Sequence, residues 1–157
     1  MNENRRVIYT AEAHITGGRA EGHGRTSDGA LEVDLRAPQE LGGEGGGTNP
    51  EQLFAVGYAA CFESALQTAG RRRRLEVGDV AIDSSVMLMP TQSRGYAIAV
   101  TLAVTLPSVD DEVEAAELVR AAHQVCPYSN ATRGNIDVVL TANGHAVEPA
   151  DRSPTGD

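Results

Sequence analysis

Tryptophan is missing from this 157-residue chain and aromatics reach only 4%, so any buried core has to be largely aliphatic. Also missing are an apolar run approaching the about 18 residues that would span a bilayer and an apolar segment behind a basic start. The expected setting is the cytoplasm, with no membrane partner. Basic residues are scarce: 13 Lys and Arg against 22 Asp and Glu leave a net charge of -9 and a pI of about 4.8, which argues against nucleic acid as a partner. The run Arg71 to Arg74 is the local exception and fits the end of a helix, where cations complement the exposed carbonyls. Cysteine is limited to Cys61 and Cys126, too few for a disulfide framework, and such a pair in a reducing compartment reads as redox-active or catalytic. His14, His23, His123 and His145 lie scattered. Only His123 with Cys126 comes near ligand spacing, so no metal is expected.

What is present centres on Thr48 to Gly70, TNPEQLFAVGYAACFESALQTAG. Asn49 is a favoured helix cap, Pro50 suits the first helical position, and Gln52 stands where a capping-box partner should. From Gln52 to Phe62 no residue is charged, which predicts a core helix covered around most of its circumference. Cys61 shares a face with Gly57 and Phe54 on one side and Ser64 and Thr68 on the other, so a small pocket is expected beside the thiol. The same pattern also suits a cysteine that merely fills space.

Before this helix, alternation over Arg5 to Thr16 predicts a strand, Gly17 and Gly18 a turn, Ala20 to Arg25 a second strand, and Leu31 to Arg36 a third. Residues 39–47 (QELGGEGGG) form a glycine loop, either a linker or the lining of a substrate mouth. After the helix, Val80 to Met89 and Tyr96 to Leu106 predict a hairpin with a long loop. A second helix, capped by Ser108 or Asp110, should end near Gln124, and Ile136 to Ala142 should form a last strand. One domain over 1–147 is expected, followed by a disordered tail over 148–157. Helices segregated from strands make the fold class α+β. Cys126 directly precedes Pro127, and at the cap of a new helical turn its thiolate would be favoured.

Two motifs carry a resemblance. TNPEQLFAVGYAACF (Thr48 to Phe62) and VCPYSNATRGN (Val125 to Asn135) resemble the cysteine motifs of the organic hydroperoxide resistance proteins, the Ohr branch of the OsmC/Ohr family of thiol peroxidases. The resemblance implies an OsmC-like fold, with antiparallel sheets around a buried cysteine-bearing helix and a second helix, in an intertwined homodimer with sites at the subunit interface. It implies that Cys61 attacks an organic hydroperoxide, fatty-acid hydroperoxides included, to give an alcohol and a sulfenic acid. Cys126 would resolve that acid to a disulfide. Arg19 and Glu51 stand where the family keeps its active-site arginine and glutamate. No haem, flavin or metal cofactor is implied, and the external reductant would be the dihydrolipoyl group of a lipoylated protein. Alternatives are the osmotically induced sister branch, or a non-catalytic dimer that binds lipid-like ligands.

An ordinary thiol with a pKa of about 8.5 is roughly 3% thiolate at pH 7, and lowering that pKa by two units raises the fraction to roughly 75%. Arg19 suits the task because it keeps its proton, and Glu51 can hold the guanidinium in a two-pronged pair. Glu51 and Cys61 nevertheless lie ten residues apart on one predicted helix, about 15 Å along its axis. Either the helix starts after Pro50, or Arg19 and Glu51 serve the Cys61 of a second chain. For an apolar substrate, Phe54, Val56, Met87 and Met89 are the candidate lining, although such residues equally build a plain core.

Overall fold

A computed structural model describes residues 5–148. Apart from Glu148, whose carbonyl accepts from Arg120, the tail expected over 148–157 lies outside the described residues. Two compact units divide the chain, Met1–Leu53 and Phe54–Asp157.

In the first unit an antiparallel sheet of order β1-β2-β3 joins β1 (Ala13–Thr16), β2 (Gly22–Thr26) and β3 (Glu32–Arg36). The strand expected from Arg5 pairs only from Ala13, because its partner β2 ends at Thr26, opposite Ala13, and turns away at Ser27-Asp28-Gly29. Val7, Ile8 and Tyr9 are therefore exposed. Gly17 and Gly18 turn the chain with φ of 73° and 66°, into a single helical turn, α1 (Gly18–Glu21), where a strand was expected from Ala20. One face of the sheet is polar. On it His23 sits opposite Asp34, and Arg25 opposite Glu32. The two ring nitrogens of His23 lie 3.0 Å from Asp34 and 3.1 Å from Glu32.

Helix α2 (Pro50–Arg73) opens as its sequence dictates, with Asn49 Oδ1 accepting from the Gln52 amide at 2.9 Å. The Gln52 side chain does not close a capping box; its oxygen accepts instead from the Thr48 hydroxyl. The far end closes where the arginines were expected. Arg74 takes φ of 57°, its amide donates to Arg71, and Leu75 donates back to Gly70 at 2.9 Å, satisfying two orphan carbonyls. Gly70 is required there, since a Cβ would stand 2.2 Å from Val77.

The second unit holds a four-stranded sheet of order β4-β5-β6-β7, from β4 (Ala81–Pro90), β5 (Tyr96–Thr105), β6 (Val138–Ala142) and β7 (His145–Val147). The predicted hairpin is β4–β5, paired over its full length. Two features were not expected. β6 runs parallel to β5, which the intervening helices make possible, and β7 follows after a turn at Asn143-Gly144. Those helices are α3 (Glu112–Val125) and α4 (Pro127–Thr132). The cap of α3 is Asp111 rather than Ser108 or Asp110, its carboxylate accepting from Glu114.

One apolar cluster joins Phe62, Leu66 and Ala69 of α2, Val100, Leu102 and Val104 of β5, Leu118 and Val119 of α3, and Leu140 of β6. At about 1.5–3 kcal/mol for each large side chain buried, this cluster dominates the unit's stability. The coverage expected around α2 is incomplete: Val56 is 72% exposed, and Ala60 and Ser64 follow it on the same stripe.

Candidate active site

Cys126 ends α3 and caps α4, because Pro127 cannot continue the first helix yet suits the opening of the second. This junction carries the Cys126 sulfur to 3.6 Å from that of Cys61, in mid-α2, with both thiols free. Cys126 is wholly buried and Cys61 half-buried.

Burial pushes the Cys61 thiol up; the backbone amide of Tyr128 pulls the other way by donating to its sulfur, and Cys126 adds to the upward push. The first-turn amide of α4 thus points at Cys61, whereas the sequence suggested that α4 would favour a Cys126 thiolate. Among the described residues no cation is one of the groups that shift Cys61.

Part of the face that Cys61 shares with Gly57 is covered. Tyr128 covers the Gly57 position, where a Cβ would come 3.2 Å from its hydroxyl. Its ring packs 5.8 Å from Phe54 and 5.7 Å from Tyr58, measured between ring centroids. Sequence reasoning passed over Tyr58, Tyr128, Ser129 and Thr132. Tyr58 is fully buried, and its hydroxyl lies 2.9 Å from Ser129 Oγ and 3.0 Å from Thr132 Oγ1. The available signal was two hydroxyls at i, i+3 on a short turn after Pro127, which need a buried polar partner.

In the unit Met1–Leu53, Arg19 and Glu51 form the two-pronged pair expected of them, at 2.9 and 3.2 Å. The Arg19 side chain is 46% exposed and that of Glu51 17%. Helix α2 begins at Pro50 and runs unbroken through Cys61, which removes a later start as the way to bring Glu51 to the thiol.

The four candidate lining residues do not share one surface. Phe54 packs on the core beside Cys61, while Val56 is exposed. Met87 and Met89 lie on the more exposed face of β4, opposite the Val86 face that packs on the core.

Among the described residues no helix is long and apolar enough to cross a membrane, and no cluster of three metal-ligating side chains occurs. The family model described as OsmC-like protein matches residues 43–141. The organic hydroperoxide resistance protein of Xanthomonas axonopodis pv. citri is 53% identical over 143 residues, covering 90% of this chain and 99% of that protein. Organic hydroperoxide resistance protein OhrB of Bacillus subtilis is 48% identical over 135 residues, covering 85% of this chain and 97% of that protein. The crystal structure of an organic hydroperoxide resistance protein from Legionella pneumophila superposes with a TM-score of 0.82 at 50% identity, covering 86% of this chain and 97% of that one. With its α+β fold, its paired sulfurs and relatives of this closeness, the chain belongs to the OsmC/Ohr family, in the organic hydroperoxide resistance branch.

Proposed function

We propose that this chain is a two-cysteine peroxidase that reduces organic hydroperoxides to alcohols. The observation that carries the reading is the 3.6 Å separation of two free sulfurs, one half-buried and one sealed behind it. The Cys61 thiolate attacks the terminal oxygen of R–O–O–H. The O–O bond breaks, the alkoxide takes up a proton and leaves as alcohol, and Cys61 becomes a sulfenic acid. Cys126 then attacks the Cys61 sulfur, the S–O bond breaks, and the oxygen leaves as water, so that two electrons have passed from two thiols to the peroxide. A dihydrolipoyl group on a lipoylated protein returns two electrons and two protons by thiol–disulfide exchange.

Burial, with Cys126 adding to it, holds Cys61 as a thiol against the pull of the Tyr128 amide, so the cycle needs a cation. Arg19 supplies it, braced by Glu51. Ten residues of unbroken helix between Glu51 and Cys61 correspond to about 15 Å, so the pair serves the Cys61 of a second copy in a homodimer. A unit pair at about 4 Å in an effective dielectric of about 20 gains roughly 4 kcal/mol before desolvation, which opposes the upward push of burial.

Thiol titration of the intact protein before and after one equivalent of cumene hydroperoxide tests the reading. Loss of both thiols per chain is expected, and retention of both would overturn it. Steady-state turnover with dihydrolipoamide, thioredoxin and glutathione systems compared side by side tests the reductant, with dihydrolipoamide expected to be fastest.

A further inference from the structure

We propose that Tyr58 is a positioning residue for the sulfur pair: its buried hydroxyl, anchored between Ser129 and Thr132, tethers α4 so that Cys126 and the Tyr128 amide are held on Cys61. The proposal rests on the peroxidase reading for its purpose and on geometry for its content.

Helix α4 has only six residues, too few to be stable alone, so its place is set by what it touches. It carries both groups that face Cys61, the Cys126 sulfur at its cap and the Tyr128 amide in its first turn. Tyr58 stands three residues before Cys61 on α2, hence one turn away and about 4.5 Å back along the axis. Its phenol reaches across to the two hydroxyls of α4. One side chain thereby fixes the spacing between the helix bearing the first sulfur and the turn bearing the second.

Proton counting gives this network a direction. Thr132 Oγ1 lies 3.0 Å from the Tyr128 carbonyl and 3.3 Å from that of Ser129, and a carbonyl only accepts, so the Thr132 proton goes there. Thr132 must then accept from Tyr58, whose single proton is thereby used, and Ser129 must donate to Tyr58. The chain Ser129 to Tyr58 to Thr132 to the Tyr128 carbonyl leaves none of the three hydroxyls unpaired. Burial also pushes the phenol's ionisation up and keeps it a donor. The tether therefore ends on a backbone group of the residue whose amide faces Cys61.

The sulfurs at 3.6 Å must close to the about 2.05 Å of a disulfide, so the population of the close arrangement sets how readily the bond forms. The test measures that readiness without a hydroperoxide. The full-length protein and its Tyr58→Phe variant are equilibrated with graded ratios of oxidised to reduced dithiothreitol, trapped with iodoacetamide and weighed intact. Two electrons and two protons pass from Cys61 and Cys126 to the reagent as the S–S bond forms. Tyr58→Phe is expected to need a ratio about tenfold higher for half-oxidation, and Ser129→Ala to shift in the same direction. Val147→Ala, in β7, serves as a control that lowers Tm without moving the ratio. A shift under twofold in Tyr58→Phe, or an equal shift in Val147→Ala, would overturn the proposal. Should Tyr58→Phe not fold, Ser129→Ala decides by the same threshold. A wild type that forms this disulfide but leaves cumene hydroperoxide intact would overturn the peroxidase reading and leave the tether standing.

Discussion

In the unit Phe54–Asp157 the polar groups around the sulfurs are sealed: Tyr58, Ser129 and Cys126 have no exposed surface. In the unit Met1–Leu53 the charged groups stand at the surface, with the Arg19 side chain 46% exposed and that of His23 49% exposed. The contrast follows from what each kind of interaction tolerates. In the proposed cycle two sulfurs bond, which needs placement to a fraction of an ångström that only a packed interior supplies. A charge acts through a field that falls off slowly, so the proposed tuning role asks less of the placement of a guanidinium on a partly wet surface.

If bond-making belongs to the packed unit and tuning to the exposed one, substitutions should sort by unit. The largest effect is expected from Cys61→Ser, which should abolish hydroperoxide consumption. Cys126→Ser should allow one oxidation per chain and then stall, with Cys61 passing to the sulfinic acid in excess peroxide. Intact mass reports both, and sustained turnover without Cys126 would break the scheme. Next comes Leu66→Ala, in the apolar cluster, expected to destabilise by about 2–5 kcal/mol in urea unfolding. Arg19→Ala should act on rate rather than on stability: at pH 7 the peroxide reaction of the Cys126→Ser protein should slow by at least about tenfold, because burial without a nearby cation leaves Cys61 mostly as the unreactive thiol. That deficit should shrink as pH rises past the ordinary thiol range, above which burial has pushed the Cys61 thiol, and an unchanged rate would remove Arg19 from the chemistry.

The smallest effect concerns His23. Asp34 first, then Glu32, hydrogen-bonds its ring and raises its pKa above the ordinary 6.5, with burial opposing, and Arg25 adds a nearby cation on the same face. A raised folded-state pKa means stability fully present below about 6.5 and lost as pH rises through the raised value. His23→Gln should therefore melt slightly below wild type at pH 5.5 and with it at pH 9. An equal deficit at both would show that packing, not charge, is at stake.

Much of the fold was legible because its signals are local. Asn49-Pro50 set the start of α2, the arginine run marked its end, and strict alternation located β4 and β5. The α+β class followed from element order. The misses came from information that lies elsewhere in the chain. Arg5 to Glu12 alternates like a strand, but among the described residues no strand pairs along it, since β2 ends opposite Ala13. β7 is only three residues long and depends on β6 for its definition. Of the candidate residues, Glu51, Cys61 and Cys126 stood out because they lie in the two motifs that carry the family resemblance, and Arg19 because of its place after the glycine turn. Tyr58 and Ser129 were passed over, because a hydroxyl shows its importance only once its partner, 71 residues away, is known. Gly57 likewise signals close approach, and only the structure shows that Tyr128 is what approaches.

The parallel crossover from β5 to β6 has a consequence for synthesis. Cys126 follows Cys61 by 65 residues, so at about 5–20 residues per second a ribosome leaves the first sulfur without its partner for roughly 3–13 s. A nascent chain stalled before Cys126 should accumulate irreversibly oxidised Cys61 under peroxide, and the released full-length chain should not. The protective value of the second thiol would then begin only when translation has passed it.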